Sequence, residues 1–328
     1  MLRSIKFREE TLPLREEFGV AGARCVVRTD SRAIAERARA LKQMRGYASD
    51  GGREFRLDLR EGDKRGEREG ACGQMYFRGL KHLAFATLAS GDRFVFDLSR
   101  RHAAGEISPE SAGSAEFWER MLVPIAVGLF ATSLGMAPLH CACLEMDGKG
   151  ILIAAEQGAG KSTLAAALAQ AGFAFLADEH TYATLREGKL VVHGLSQPLK
   201  LLPEAARFFP QLAMLETRRT MNGEMALEVN TREAFGVATK MECEPRLLLF
   251  LERREGAGCE FVRCSEARAL EFFAKSSELL PEQLREARES RDRVLREASR
   301  MNRWTLRTGE TPQATARAVR EFCEARWN

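Results

Sequence analysis

The chain has no CxxC pair among its eight cysteines, no secretory signal in its opening MLRSIKFREETLPL, no internal repeat, no low-complexity tract and no block of like charge. Each absence excludes something. Cysteines at 25, 72, 141, 143, 243, 259, 264 and 323 lack the doubled spacing of a structural zinc site, and without a signal they are expected as reduced thiols of a cytoplasmic protein. Cys141 and Cys143, two apart, are expected on one face of a strand, with no second pair to complete a metal site. Lys+Arg 50 against Asp+Glu 46 leaves only +4, and the two signs are interleaved, so nothing points to nucleic acid. Lysine itself is scarce at ten residues, which singles out Lys161, Lys200 and Lys240 for attention.

One uncharged run, 121–143 (MLVPIAVGLFATSLGMAPLHCAC), is long enough to raise the question of a bilayer. Trp118, Leu122, Ile125 and Leu129 recur at helical spacing behind a cap at Ser114, and Gly135 and Pro138 break the run before a short strand. It reads as a buried helix and a buried strand, and no membrane span is expected.

What is present is enough apolar sequence for more than one core: 328 residues, 45% of them hydrophobic. Alternation predicts strands at 23–29, 54–59, 74–78 and 93–98, a helix at about 31–44 between the first two, and an exposed hairpin loop at 60–73. The small, polar stretch 103–113 is read as the domain boundary, giving a smaller strand-rich α+β domain over 1–112 and an α/β domain over 113–328. In the second, a helix is predicted at 114–134, strands at 139–146, 150–155 and 173–177, and a helix at 161–171. Further strands are predicted near 182–186, 189–193, 246–252 and 304–307, with helices from about 281 and from 312. The charged run 282–300 is read as a solvated helix face with Leu284, Val294, Leu295 and Met301 inside.

The chemistry lies at 155–163, AEQGAGKST, between an apolar strand and a helix. Gly158 and Gly160 let the backbone turn its amides inward, and the helix N-terminus adds positive potential. This is the pattern of a phosphate-binding loop, with Ala155 where the strict form has glycine. Glu156, Gln157, Gly158, Ala159, Gly160, Lys161, Ser162 and Thr163 are its candidate nucleotide-binding residues, Lys161 reaching the β/γ-phosphates and Ser162 ligating Mg²⁺. The next strand ends in Asp178-Glu179. An acid pair there can hold Mg²⁺ and accept the proton of an attacking hydroxyl, with Asp178 as the base and Glu179 as the second metal or water contact.

The loop, His140 in a strand before it and the acid pair after it resemble the catalytic domain of HPr kinase/phosphorylase, and more closely the HPr-kinase-related proteins of bacterial gene clusters. Segments 139–148, 155–179, 198–204, 245–252 and the closing strand and helix from Trp304 carry the resemblance, over roughly 115–325. It implies a phosphoenolpyruvate-carboxykinase-like α/β fold, use of ATP and Mg²⁺, and phosphate transfer to a hydroxyl. It puts base duty on Asp178, phosphate-facing duty on His140 and Lys161, and implies a homo-oligomer. The chain departs from the family at Glu179, where a second aspartate is expected, and lacks the Glu-x-Arg-Gly signature of the bifunctional enzymes. The resemblance therefore does not extend to phosphorolysis or to HPr as acceptor.

His180 and His193 have weaker claims, and Lys200 and Lys240 are candidate substrate or phosphate contacts. Three functions fit these residues: a kinase acting on a hydroxyl of a peptide, protein or metabolite, a P-loop ATPase, and a non-catalytic ATP-sensing or scaffold module. The resemblance favours the first. The acceptor is not legible.

Overall fold

The computed structural model describes residues 12–45, 52–62, 75–88, 90–195, 197–220, 224–256, 258–276 and 285–327. Most of the 60–73 loop, the helix start near 281 and Leu284 lie outside the described residues. The chain forms two compact units that divide between Phe130 and Ala131.

The first unit is a seven-stranded mixed sheet built from β1 (Leu14–Val20), β2 (Ala23–Thr29), β3 (Glu54–Glu61), β4 (Met75–Leu80), β5 (Leu83–Leu88), β6 (Arg93–Asp97) and β7 (His102–Ile107), in the order β1-β2-β3-β7-β6-β5-β4. Ala21 and Gly22, with φ of 46° and 75°, make the two-residue turn that closes the β1–β2 hairpin. The helix Arg32–Arg45 crosses from β2 to its parallel neighbour β3. Along β3, Phe55, Leu57 and Leu59 are buried and alternate with half-buried Arg56, Asp58 and Arg60, so one face of the sheet is core.

The stretch 103–113, expected as a boundary, is instead strand β7, a Ser108 cap and a helical turn at Pro109–Gly113. Its small residues answer to packing. A Cβ on Gly105 would meet Phe94 Cδ1 at 2.5 Å, so glycine lets a neighbouring ring lie across the strand. The helix expected from 114 begins as read, with Ser114 Oγ accepting from Phe117 N at 3.1 Å. It carries a π-turn at Trp118–Leu122 ahead of Pro124, a residue that cannot donate to an α-helical ladder. The helix belongs to the first unit because Phe130 packs on Phe55 and Phe96, at ring separations of 5.3 and 5.8 Å. Among the described residues no helix is long and apolar enough to cross a membrane.

The second unit is α/β. Its strands are β8 (Ala137–Pro138), β9 (Ala142–Met146), β10 (Lys149–Ala155), β11 (Ala174–Ala177), β12 (Thr181–Arg186), β13 (Lys189–Gly194), β14 (Leu199–Leu201), β15 (Thr217–Arg219), β16 (Met225–Val229), β17 (Glu242–Arg253), β18 (Cys259–Arg263) and β19 (Asn302–Thr308). Nine form one sheet, in the order β11-β9-β10-β17-β13-β12-β8 with β19 on β17 and β18 on β19; β14, β16 and β15 form a small second sheet.

The central strands are apolar on both faces because both faces are covered. Ile151 and Ile153 of β10 and Leu247, Leu249 and Leu251 of β17 join the core beneath helices Lys161–Gln170 and Pro312–Trp327. Leu152, Ala154, Leu248 and Phe250 join the core on the other side, with Val294 and Leu295 of helix Arg285–Ser299 and with Cys141 and Cys143, which share a face as expected.

The direction of the strands, more than their order, decides where a ligand can sit. Strand β10 is parallel to β17, and β17 to β19. Strand β11 is antiparallel to β9, which is antiparallel to β10, so β11 also runs with β10. The carboxyl ends of β10, β11, β17 and β19 therefore open on one edge of the sheet, where open α/β sheets place their ligands.

Candidate functional site

The loop leaves β10 at Ala155 and enters its helix at Lys161. Gly158 and Gly160 have φ of 82° and 94°, the left-handed region that only glycine enters freely. A Cβ on Gly158 would have no atom within 4 Å, and Glu156, Gln157 and Gly158 are exposed, so the loop is an open cradle. The helix behind it lies close against the sheet because Ala165, Ala166, Ala167 and Ala169 are its packing residues.

The parallel course of β11 delivers Asp178 to the same place. Lys161 Nζ donates to the Asp178 carbonyl oxygen at 2.5 Å and lies 3.3 Å from its Oδ1. Both side chains are largely withdrawn from water, at 10% and 7% exposure. Asp178 Oδ2 is buried without a hydrogen-bond partner. Burial raises the Asp178 carboxyl above the ordinary carboxylate value, Lys161 and a hydrogen bond from Ser162 oppose that rise, and Glu179 adds to it. Glu179 itself is only half-buried, so the acid pair splits into one enclosed and one open carboxylate.

His140 does not lie in a continuous strand. It sits at a φ of 48° between β8 and β9, a left-handed kink in what reads as one run, 139–146. Thr181 holds the kink: its Oγ1 accepts from Cys141 N at 3.2 Å and donates to the Cys141 carbonyl at 2.5 Å, while its own carbonyl accepts from Leu139 N at 3.0 Å. The imidazole is thus placed among the charges of the site. Partial burial and then Lys161 hold its pKa below the usual histidine value, against Glu179 and Asp178. His180 is lowered too, first by burial, with Lys200, His140 and Lys161 acting against Glu179. Lys200 thereby enters the field of the site from β14.

Two other candidates are engaged elsewhere. Lys240 Nζ pairs with the buried Glu145 at 3.1 Å. His193, 1% exposed, lies between Thr184 Oγ1 at 3.1 Å and Glu242 Oε2 at 3.3 Å. Residues missed in the sequence are Thr181, whose only signal is its place three positions after Asp178, and Arg253, which ends the strand after the recognised 245–252 segment. Among the described residues no three His, Cys, Asp or Glu side chains converge as a metal-binding group. A cavity of about 420 Å³ lies in the first unit, lined by Glu54, Phe55, Arg56, Arg100, Arg101 and His102, none of them residues of the loop.

No protein-family model matches the chain, and a search of curated proteins returns no match. Among solved structures the chain is similar to the Hpr(Ser) kinase/phosphatase from Coxiella burnetii, at 14% identity, covering 57% of this chain and 90% of that one, with a TM-score of 0.32.

Proposed function

We propose that the second unit is an ATP- and Mg²⁺-dependent kinase that transfers the γ-phosphoryl group to a hydroxyl of a peptide, protein or metabolite. The observation that carries this reading is the convergence of Lys161, Ser162 and Asp178 at the carboxyl ends of two parallel strands. The parts present suit the nucleotide: an open glycine cradle, a helix N-terminus and a lysine at its first turn. They also suit Mg²⁺, which takes one or two carboxylates together with phosphate oxygens and water rather than an all-protein cage. Ser162, Asp178 and Glu179 would hold it, and residues 156–163 would hold ATP. Mg·ATP, when bound, supplies the phosphoryl group and neutralises its charge.

The chain's own residues do the rest. Lys161 fixes Asp178 Oδ1 and faces the developing negative charge. Asp178 Oδ2, the oxygen with no hydrogen bond, accepts the proton of the acceptor hydroxyl. Its raised pKa brings it nearer the working pH, where a general base is most effective. His140 and His180, with their charged forms disfavoured, line the approach as neutral donors or acceptors. The phosphoenolpyruvate-carboxykinase-like fold implied by the sequence resemblance fits this assignment.

The test is incubation with γ-labelled ATP, Mg²⁺ and host lysate, with Asp178→Asn alongside. Label on a distinct acceptor is expected with the unmodified protein, reduced about 10²–10⁴-fold by the substitution, the range of a lost general base, while ATP binding persists. An unchanged rate in the variant removes the base assignment. Label only in free phosphate indicates an ATPase, and binding without turnover a sensing module.

A further inference from the structure

Arg253 stands where the phosphate loop ends. Ala155, the last residue of β10, is paired with Leu251 of the parallel strand β17, so Arg253 emerges just beyond, on the edge that bears the loop. Its guanidinium lies against Gly160: a Cβ there would fall 3.1 Å from Arg253 Nη2 and 3.6 Å from its Nε. Glycine at 160 thus supplies both the left-handed backbone and the space in which the guanidinium rests.

The position is fixed from behind. Arg253 Nη1 donates to the Glu310 carbonyl at 3.3 Å. The following segment is tied down by Arg254 N to Thr308 O at 3.1 Å and Gly258 N to Glu310 Oε1 at 2.6 Å. Gly309 approaches so closely that a Cβ would meet the Gly256 carbonyl at 1.8 Å. Its neighbours are charge-paired: Arg254 with Glu260, and Arg268 and Arg307 both with Glu252. Among the described residues Arg253 has no carboxylate partner.

A fixed, exposed guanidinium without a carboxylate partner, beside a glycine loop that opens a helix at Lys161, matches the planar, multidentate geometry of a phosphate. We infer that Arg253 is a nucleotide-binding residue that donates to the β- or γ-phosphate from the β17 side, opposite Lys161; this rests on reading 156–163 as the nucleotide loop. It would act in cis, as an arginine that stabilises charge on a transferring phosphoryl group.

The test is calorimetric titration of Mg·ATP and Mg·ADP into the full chain, Arg253→Ala and Arg253→Lys. Loss of one charge-assisted contact predicts ATP binding weakened about 10- to 100-fold in the alanine variant and partly restored by lysine, which keeps the charge without the fork. Equal weakening for ADP places the contact on the β-phosphate, and loss for ATP alone places it on the γ-phosphate. If the unmodified chain binds and both variants match it, Arg253 is not a phosphate ligand and the nucleotide loop stands. If the unmodified chain binds neither nucleotide, the loop reading falls and this inference with it.

Discussion

Asp178 is kept in a setting that opposes its own ionisation. Burial outweighs Lys161 and Ser162, so its folded-state pKa lies above the ordinary carboxylate value of about 3.9. The folded chain therefore holds this proton more tightly than the unfolded chain. The group's contribution to stability is present at low pH and is lost as pH rises through the raised pKa. At neutral pH the ionised carboxylate opposes folding, as expected where function is favoured over stability. Asp178→Asn, which cannot ionise, is accordingly expected to melt higher than the unmodified chain at pH 7, with the gap closing as pH falls through the raised pKa and absent below about 4. Calorimetric scans of both proteins across that range check it; a variant no more stable at pH 7 would show that Lys161 already compensates the charge.

At the scale of elements, the kink at His140 depends on one hydroxyl. Thr181 satisfies both the amide and the carbonyl of Cys141 inside the core, where Cys141 and Thr181 are 0% and 1% exposed. Thr181→Val keeps the shape and orphans both groups, at a cost of about 1–3 kcal/mol for buried unsatisfied polar atoms. Urea unfolding should show that loss, and Thr181→Ser should largely restore it. If the valine variant unfolds at the same urea concentration, the kink is held by packing alone. None of this was legible in the sequence. Residues 139–146 carry apolar side chains on both faces, with His140 and Glu145 the polar exceptions, and such a run looks the same whether the strand is straight or broken; the partner that breaks it is 40 residues away. The loop was legible because its signal is local: apolar strand, two glycines, lysine, helix. So was the coming of Asp178 at a strand end, though its convergence on Lys161 follows from β11 being parallel to β10, a relation set through β9. The stretch 103–113 misled for a similar reason, since Gly105 is small to admit Phe94 and not to form a linker.

At the scale of the whole molecule, every residue assigned to the nucleotide, from His140 through the loop and Asp178 to Arg253, lies on the far side of the Phe130/Ala131 division from the seven-stranded sheet. The second unit also has its own cores on both faces of its sheet. Nucleotide binding is therefore expected to survive in a chain reduced to 131–328, whereas the choice of acceptor has no such confinement. A ligand that binds only the folded state at 100 times its Kd adds about 2.7 kcal/mol. For a unit of this size each kcal/mol moves the melting point by about 2–4 °C, so saturating Mg·ATP should raise the melting of the fragment and of the corresponding transition in the full chain by about 5–11 °C. Thermal scans with and without Mg·ATP compare the two, with circular dichroism establishing that the fragment is folded. Equal shifts place binding wholly within 131–328. A shift in the full chain and none in a folded fragment would mean that residues before 131 complete the nucleotide site, and the first unit would then be part of the catalytic machinery rather than an addition to it.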